Sequence, residues 1–383
     1  MYDGDGPAQP GPGGAGALVV TRLGARDFRN YEAVDLRLSA GLSVVYGANG
    51  AGKSNLLEAL YFGCTGRSAR TSTERELVRR GASVARVEVD TRDDEGSHRI
   101  EAGFEPGEPK RLRVDGSLVD SLSTSTARPL VSVFMPERLE LVKGAPSARR
   151  AHLDQVVAAL WPSRAGARGA YSRALAQRNA LLSRIRAGFS GPAALDAWDA
   201  ELARTGVQLM EDRAQAADGL SAPFTALAAQ LGLPGRAELR YRPRSPATDA
   251  EQLAGELAER READLERGFT AHGPHRDELV LLLDAAPLRV YGSQGQQRAA
   301  LLALLFAERE LLASRRGRAP LMLLDDVMSE LDSGRRELLA GLLRGGGQAV
   351  VSATEAEHVP GTSEPELIRV SEGTAIPLAL AQA

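Results

Sequence analysis

A glycine-rich turn between an apolar run and an amphipathic stretch constrains the fold of this chain most. The apolar run covers residues 42–46, and the amphipathic stretch begins at Lys53. Between them, residues 47–54 match the pattern G-x-x-x-x-G-K-[ST], which is called a P-loop. Backbone N–H groups that point inward, next to a helix N-terminus, form a site for phosphates. The pattern therefore predicts an α/β fold of the P-loop NTPase class.

Each position of this loop has an expected role. Lys53 should reach the β- and γ-phosphates of a nucleotide, and the Ser54 hydroxyl should hold Mg²⁺. The alternative is a glycine turn with a chance lysine. Only three of the 47 basic residues are lysines, which favours a site that needs a compact ammonium. The candidate nucleotide-binding residues are Gly47, Ala48, Asn49, Gly50, Ala51, Gly52, Lys53, Ser54 and Asn55.

Composition excludes several other classes of protein. The chain is 43% apolar and 25% charged, as ordinary globular proteins are, and its net charge of −3 restricts nucleic-acid binding to local patches. A single cysteine, Cys64, supports no intrachain disulfide and fits a buried apolar position in a reducing cytosol. The longest apolar run, residues 299–307, is too short to span a bilayer, and no secretory signal is visible. We therefore expect a cytoplasmic protein without a membrane partner.

Changes in pattern along the chain predict its domains. Residues 1–17 hold six glycines and three prolines, so we expect a disordered tail. Residues 18–129 and 271–376 have the mixed strand and helix patterns of one lobe with a mixed sheet. Residues 130–270 have apolar spacing near 3.6, which predicts a largely helical second lobe without a long coiled coil. Residues 377–383 are expected to be a tail.

Several short segments carry more specific predictions. We expect residues 111–114 and 117–119 to form a hairpin around Asp115-Gly116. We also expect a strand at residues 288–290, one helix over 249–268 and an edge strand at 367–370.

An apolar strand that ends in two acids forms the second half of the predicted site. Residues 321–324 are followed by Asp325 and Asp326, a Walker B pattern. Asp325 should help to hold Mg²⁺, and Asp326 lies where a general base could orient the attacking water. The alternative is a pair of helix N-caps.

A third element lies between these two motifs. Ser293 and Gly295 precede a long amphipathic helix in the sequence Ser-Gln-Gly-Gln. A hydroxyl and free N–H groups at a helix N-terminus can bind phosphate, although simple capping is the ordinary interpretation. The order of P-loop, Ser-x-Gly-Gln, Walker B and Ser-Glu-Leu-Asp at 329–332 resembles the ATP-binding-cassette (ABC) ATPases. It is similar to the heads of the chromosome-maintenance and break-repair ATPases, whose long coiled coils are not predicted here.

A closer resemblance is to the RecF family of DNA replication and repair proteins. It covers about residues 18–370. The segments that carry it are Phe28–Tyr31, the P-loop, Gly66–Thr71, Phe134–Glu137, Leu141–Gly144 with Arg149-Arg150, Gly273–Asp277, Gly292–Arg298 and Leu323–Asp332.

The resemblance implies a mechanism. Two protomers would sandwich two ATP molecules, with the signature residues Ser293, Gly295 and Gln296 of one protomer capping the nucleotide of the other. Asp332 would lie in the D-loop, and Lys53 and Asp326 would be the catalytic residues of a weak, DNA-stimulated ATPase that acts as a switch. The implied role is ATP-dependent binding of gapped DNA at single-strand to double-strand junctions, with RecO and RecR as partners in loading RecA for repair and the SOS response.

Contacts with DNA should come from arginine and lysine side chains on phosphates. For each candidate taken alone, a solvated or structurally paired charge is the more common interpretation. The low aromatic content of 4% argues against a base-stacking platform and favours a duplex or junction. The candidates are Arg67, Arg70, Lys110, Arg111, Arg149 and Arg150.

Some residues depart from the family pattern. Asp326 stands where cassette ATPases often have glutamate, and no glutamine occurs between Gln9 and Gln155 to form a Q-loop, so Glu137 or a neighbour would have to substitute. His358 follows the strand after which a switch histidine is expected. His272 and His275 could suggest a metal, but the glycine and proline between them argue against a helical ligand face. A structural adaptor or a transport-coupled ATPase remains the alternative function.

Overall fold

A computed structural model describes residues 18–71, 73–122, 125–329, 331–360 and 366–378. These residues form fifteen strands and ten helices. The strands are β1 Val19–Phe28, β2 Tyr31–Arg37, β3 Leu42–Tyr46, β4 Ala85–Arg92, β5 Ser97–Phe104, β6 Arg111–Val114, β7 Ser117–Val119, β8 Val131–Phe134, β9 Ala237–Arg242, β10 Glu278–Leu283, β11 Ala286–Pro287, β12 Leu321–Leu324, β13 Ala349–Ala353, β14 Glu366–Ser371 and β15 Thr374–Leu378. The helices are α1 Lys53–Thr65, α2 Glu140–Lys143, α3 Pro146–Leu160, α4 Ala167–Arg186, α5 Leu195–Gln230, α6 Ala250–Glu259, α7 Arg261–Arg267, α8 Leu288–Tyr291, α9 Gln294–Arg316 and α10 Ser333–Arg344.

The chain divides into two compact units. Unit 1 comprises residues 1–138 and 312–383, and unit 2 comprises residues 139–311. These bounds differ from the predicted lobes at 130 and 270. The second unit continues to Leu311 because β10 pairs with β9 of the helical segment, and the strand pair keeps residues 278–283 with it.

Unit 1 contains two six-stranded sheets with α1 packed against both. One sheet is antiparallel, in the order β2-β1-β4-β5-β6-β7, and it includes the predicted hairpin β6–β7. The other has the order β15-β14-β3-β13-β12-β8, in which all but β15 run parallel. Every residue of β12 and β13 is buried, as expected of strands covered on both faces. These sheets confirm the predicted α/β fold class.

Unit 2 is built around the 36-residue helix α5, which is about 54 Å long at 1.5 Å per residue. Helices α3, α4 and α6 and strand β9 pack on it. Two buried guanidinium groups tie the helices together. Arg178 binds Asp199 at 2.6 Å and Asp264 at 2.7 Å, and Arg213 binds Asp154 at 2.7 Å. The net stability that buried ion pairs add is small, because the cost of removing both charges from water offsets their attraction.

Three local predictions were wrong. Residues 288–290 form the helical turn α8 rather than a strand, because so short an apolar run does not define a period. Residues 249–268 form two helices, α6 and α7, with Arg260 between them in a non-helical conformation. Residues 367–370 belong to an inner strand, β14, because β15 returns beside it after a turn at Glu372-Gly373. Both turn residues have positive φ, 44° and 77°, which is typical of tight hairpins.

The predicted tail at 377–383 also begins too early. β15 continues to Leu378, and it is the edge strand of the parallel sheet. Its Pro377 cannot donate to a further strand, so an edge position suits it. The predicted disorder of residues 1–17 lies outside the described residues, as do Glu330 of the Ser-Glu-Leu-Asp sequence and residues 379–383.

Candidate nucleotide site

The parallel sheet of unit 1 brings the P-loop and the Walker B acids to one edge. β3 and β12 flank β13, and the register places Tyr46 opposite Ala353 and Leu324 opposite Val351. β3 therefore ends two residues beyond β12 at the same edge of the sheet, an offset of about 7 Å along the strands. Since neighbouring strands lie about 4.8 Å apart, the two chains leave the sheet roughly 12 Å from each other. A nucleoside triphosphate is long enough to bridge the distance between the two motifs.

The P-loop is held against its surroundings so closely that two positions require glycine. Gly47 has a φ of 154°, and a Cβ there would lie 2.2 Å from the Val370 carbonyl oxygen. Gly52 has a φ of 119°, and a Cβ there would lie 2.5 Å from Asn30 Nδ2. Gly52 is also the N-cap of α1, and no side chain caps this helix. The first N–H groups of α1 are thus left to an external acceptor.

The Lys53 side chain folds back over the P-loop. Its Nζ donates to the carbonyl oxygens of Gly47 at 2.7 Å and Ala48 at 3.0 Å, and the residue is only 7% exposed. The ammonium group therefore lies inside the loop that would surround a phosphate. A phosphate oxygen is a stronger acceptor for it than a neutral carbonyl.

Asp325 and Asp326 occupy different environments. Asp325 is 6% exposed, and its Oδ1 accepts a hydrogen bond from Ser352 Oγ at 2.6 Å. Asp326 is exposed, has a φ of 47° and donates its N–H to the same Ser352 Oγ at 2.9 Å. A non-glycine residue in this conformation is strained, and such strain often marks functional sites. Ser352 thus holds both acids, and the sequence analysis missed it.

A buried carboxylate anchors the helix that follows the P-loop. Glu58 of α1 is 0% exposed and accepts two hydrogen bonds from Arg29, both 2.8 Å long. It also accepts one from Ser68 Oγ at 2.6 Å. Arg29 lies in the turn between β1 and β2 with a φ of 54°. Glu58 therefore fixes both this turn and the loop after α1 relative to the P-loop.

A chain of amides continues this network to the P-loop itself. Asn30 Nδ2 donates to the Ala51 carbonyl at 3.1 Å, and Asn55 Nδ2 donates to Asn30 Oδ1 at 2.8 Å. Arg70 donates to Asn55 Oδ1 at 2.8 Å and to Glu137 Oε1 at 3.3 Å. Glu137, the suggested substitute for a Q-loop residue, is thereby connected to the nucleotide loop through Arg70.

The described atoms suit a hard cation at this edge of the sheet. Asp325 Oδ2 and the Ser54 hydroxyl make no side-chain hydrogen bond within the described residues. A carboxylate oxygen and a hydroxyl are ligands that Mg²⁺ accepts. Asp325 and Ser54 could therefore hold Mg²⁺, with the remaining ligands from phosphates and water.

The signature residues begin α9 in unit 2. The Ser293 N–H donates to Gln296 Oε1 at 2.8 Å, and the Gln296 N–H donates to Ser293 Oγ at 3.2 Å. These two bonds form a capping box, so the simpler interpretation of the motif as a cap holds. Ser293 and Gly295 are nevertheless exposed, and a Cβ at Gly295 would meet no atom within 4 Å. The start of α9 is therefore open to solvent at Ser293 and Gly295. In unit 1, the predicted D-loop residue Asp332 caps α10 by accepting from the Arg335 N–H at 2.9 Å.

The predicted DNA contacts fall into two groups. Arg67 and Arg111 are exposed, whereas Arg70 is engaged as described above and Lys110 binds Glu74 and the Gly66 carbonyl at 2.8 Å. Arg150 donates to the Asp277 carbonyl at 2.8 Å.

Arg149 requires a correction. It is 4% exposed, and it binds both oxygens of Glu278 at 2.8 and 3.0 Å and the Gly144 carbonyl at 2.9 Å. Its donors already have acceptors inside unit 2, so it is a structural residue and not a contact for DNA.

The histidine side chains named above bind neighbouring residues of the fold, and the cysteine is buried. His275 lies between the Tyr171 hydroxyl at 2.7 Å and the Thr270 carbonyl at 3.0 Å, and burial lowers its pKa to about 4. His272 binds Glu256, and His358 binds Thr354 at 3.2 Å. Cys64 is fully buried, as predicted, and burial raises the pKa of its thiol to about 12. Among the described residues, no helix is both long and apolar enough to cross a membrane.

Comparison with known proteins places this site in a family. A model of the RecF/RecN/SMC N-terminal domain matches residues 19–375. The DNA replication and repair protein RecF of Streptomyces avermitilis is 39% identical over 93% of this chain and 99% of its own length. RecF of Anaeromyxobacter sp. is 38% identical over 94% of this chain and all of its own.

The fold agrees with the sequence relationship. A solved structure of the recombination mediator protein RecF with ATP, in the RecFOR pathway, superposes with a TM-score of 0.85 at 29% identity and covers 95% of this chain and 98% of its own. The head domain of an SMC protein bound to ScpA superposes at 0.58 with 19% identity, which shows a shared fold alone. The chain belongs to the RecF family of DNA replication and repair proteins.

Proposed function

We propose that this protein is an ATP-switched, DNA-binding protein of recombinational gap repair and replication-fork maintenance. The observation that carries the proposal is the pairing of an uncapped P-loop helix with Asp325 and Asp326 at one sheet edge. It occurs in a chain whose relatives are named RecF and whose matching structure contains ATP. We place the protein in the cytoplasm, in contact with the chromosome.

The P-loop would bind the phosphates of ATP. Lys53 would exchange its two carbonyl acceptors for the β- and γ-phosphates, and the N–H groups at the start of α1 would donate to the same oxygens. Bound Mg²⁺ would neutralise phosphate charge next to Ser54 and Asp325. Ser352 would keep Asp325 oriented, because it donates to one carboxylate oxygen and leaves the other without a described side-chain hydrogen bond.

Closure of the site would require a second protomer. Ser293 and Gly295 are exposed at the N-terminus of α9, where a hydroxyl and free N–H groups can approach a γ-phosphate held by another copy. Gln296 would keep the Ser293 hydroxyl in place through the capping box. ATP would therefore stabilise the dimer because it contacts both copies, and binding to one assembly shifts the population toward it.

Hydrolysis would act as a timer. Asp326 is exposed and could orient water, but its side chain is one methylene shorter than glutamate, so we expect slow turnover. Loss of the γ-phosphate contacts would reopen the dimer and release DNA. With RecO and RecR as partners, such a clamp would help to load RecA at gaps and so support the SOS response.

The test compares two lysine variants. Lys53→Met removes the P-loop ammonium, whereas Lys143→Met removes a 49% exposed lysine whose only described ion pair is with Glu140 at 3.9 Å. ATP binding, ATP-dependent dimerisation and binding to gapped DNA should be lost in the first variant and kept in the second. DNA binding that ignores ATP in the wild type, or that survives Lys53→Met, refutes the switch.

A second variant tests closure in trans. Ser293→Arg should abolish ATP-driven dimers while monomers still bind nucleotide, which sedimentation and a fluorescent ATP analogue measure separately. If both properties are lost together, Ser293 does not act on the partner's nucleotide. Dimers that form with ATP but bind no DNA would instead favour the structural-adaptor alternative.

A further inference from the structure

Three arginines form a row across the solvent face of the antiparallel sheet of unit 1. The register places Arg26 of β1 opposite Arg86 of β4. Gly103 of β5 follows next to Arg86, and Arg111 of β6 follows next to Gly103. All three arginine residues are exposed. With strands about 4.8 Å apart, this arginine row of Arg26, Arg86 and Arg111 extends roughly 14 Å.

No acidic side chain among the described residues pairs with the arginine row. Within the described residues, none of its three side chains takes part in an ion pair or a hydrogen bond. Other arginines on the same face are neutralised, since Arg22 binds Asp35 at 2.6 Å and Arg99 binds Asp90 at 2.7 Å. The sheet face therefore carries three unpaired arginines beside a paired network, and Glu88 and Glu101 lie opposite each other in the next row.

The arrangement is unfavourable for folding. Arg26 and Arg86 lie directly opposite each other on neighbouring strands, and like charges in that position destabilise a sheet. Nothing in the packing of the sheet requires the pair, because both side chains point to solvent. A ligand that supplies negative charge would remove the repulsion.

We propose that the arginine row binds the phosphate backbone of duplex DNA. This rests on the proposed function and names the surface through which it would contact DNA. Arginine side chains bind phosphate oxygens in a fork geometry. Duplex DNA presents such a line of charge, whereas a single-strand platform would need exposed aromatic rings for stacking. The one aromatic ring that lines the two depressions beside the row, Phe104, is 8% exposed.

Two depressions in the protein surface lie beside the arginine row, along which the DNA backbone would lie. A depression of about 570 Å³ lies between Arg26, Arg86 and the loop at 79–84, and a second of about 330 Å³ lies between Arg86 and Arg111. Gly103 separates these two arginines without a side chain, and a Cβ there would come no closer than 3.7 Å to any atom. The space beside Arg86 is therefore open.

Acidic residues limit the surface to these three contacts. Glu101 lies opposite Arg113 in the next row, so Arg113 is partly neutralised and is not included. Glu88 accepts a hydrogen bond from Arg22 at 3.4 Å. Glu88, Glu101, Glu105 and Glu108 line the second depression together with Arg86, Arg111 and Arg113, so they would repel phosphates from its interior. Contact with DNA is thus limited to one strand that lies along the three arginines.

The test is the salt dependence of DNA binding by the full chain with ATP. The triple variant Arg26→Gln, Arg86→Gln, Arg111→Gln removes three phosphate contacts. The slope of log affinity against log salt should become shallower by about 2.7, at about 0.9 per contact. At 0.1 M salt this corresponds to about 500-fold weaker binding of a short fluorescein-labelled duplex, and Arg86→Gln alone to about eightfold.

Controls separate this proposal from the proposed function. Arg99→Gln changes an arginine on the same face that is already paired with Asp90, and it should leave both affinity and slope unchanged. ATP binding and dimerisation should be normal in every variant, and the thermal midpoint of the triple variant should not fall, since Arg26 and Arg86 repel each other.

Three outcomes would count against the row. Equal duplex binding and equal slope in wild type and triple variant overturn the row and leave the switch intact. A loss confined to single-stranded DNA overturns the assignment to duplex. If the wild type binds no DNA with ATP, the proposed function fails and the row fails with it.

Discussion

Ser352 offers the sharpest test of how unit 1 holds its acids. It is the fourth residue of β13 and is 0% exposed. Its hydroxyl donates to Asp325 Oδ1 at 2.6 Å and accepts from the Asp326 N–H at 2.9 Å. Ser352→Ala removes one oxygen atom and both hydrogen bonds, and it leaves the strand otherwise unchanged.

The expected cost follows from the two bonds. A hydrogen bond to a charged group contributes about 1.5–3 kcal/mol, and one between neutral groups about 0.5–1.5 kcal/mol. Because Asp326 is exposed, water can replace part of its bond, so we expect a total loss of about 2–4 kcal/mol. ATP turnover should fall as well, since Asp325 is then free to rotate away from the Ser54 side of the site.

Ser132 provides a matched control. It lies on β8 of the same sheet, is 2% exposed, and its Oγ has no hydrogen-bond partner within the described residues. Ser132→Ala removes the same atom from an equally buried strand but breaks no hydrogen bond. We therefore expect a change within about 0.5 kcal/mol, or a slight gain in stability.

The assay must report on unit 1. Both tryptophans, Trp161 and Trp198, lie in unit 2, so their fluorescence does not report on this sheet. Hydrogen exchange of the amides in β12 and β13 does, and a loss of about 2–4 kcal/mol predicts exchange faster by about 30- to 900-fold. Equal acceleration in Ser352→Ala and Ser132→Ala would refute the reasoning.

Three further predictions concern buried groups. Arg149→Ala should destabilise unit 2 by about 2–4 kcal/mol, because Glu278 loses its partner while remaining only 26% exposed. Tryptophan fluorescence in urea measures this loss. A specific loss of DNA binding without destabilisation would contradict the prediction. The folded-state pKa of His275 is lowered from 6.5 to about 4, so the unfolded chain binds the extra proton and stability falls as pH drops below 6.5. Between pH 7 and 5 the wild type should lose about 2 kcal/mol relative to His275→Gln in the same urea assay, and parallel pH profiles would count against the assignment. The pKa of Cys64 is raised from 9.0 to about 12, so its thiol should react with iodoacetamide about a thousandfold more slowly than that of an exposed cysteine. Urea should abolish this protection. Rapid labelling of the native chain would show that the thiol is accessible.

The sequence allowed the nucleotide site to be predicted because its signals are local. The P-loop places a strand, a turn and a helix within about twenty residues, and the spacing of its glycines reports directly on backbone conformation. The apolar run before Asp325 likewise predicted a buried parallel strand. In both cases the sequence pattern and the structure that it predicts lie in the same short segment.

The residues that hold the site together could not be found in this way. Glu58 belongs to none of the motifs identified in the sequence, and its partner Arg29 lies 29 residues earlier, in the turn between β1 and β2. Ser352 lies 27 residues from Asp325 and is one of five buried residues in its strand. Their roles depend on which strands become neighbours, and a single sequence does not specify this order.

The arginines also show that a single sequence does not specify which side chains become neighbours. Arg149 and Arg150 were predicted as phosphate contacts for DNA, but Arg149 binds Glu278, 129 residues later, inside unit 2. Arg26 and Arg86 are separated by 60 residues and only the strand register makes them neighbours. In a chain with a net charge of −3, a local positive surface forms where arginines are not paired with acids. The sheet face must therefore be compared row by row, and by that criterion the arginine row is a better candidate for phosphate than the paired arginines chosen from the sequence.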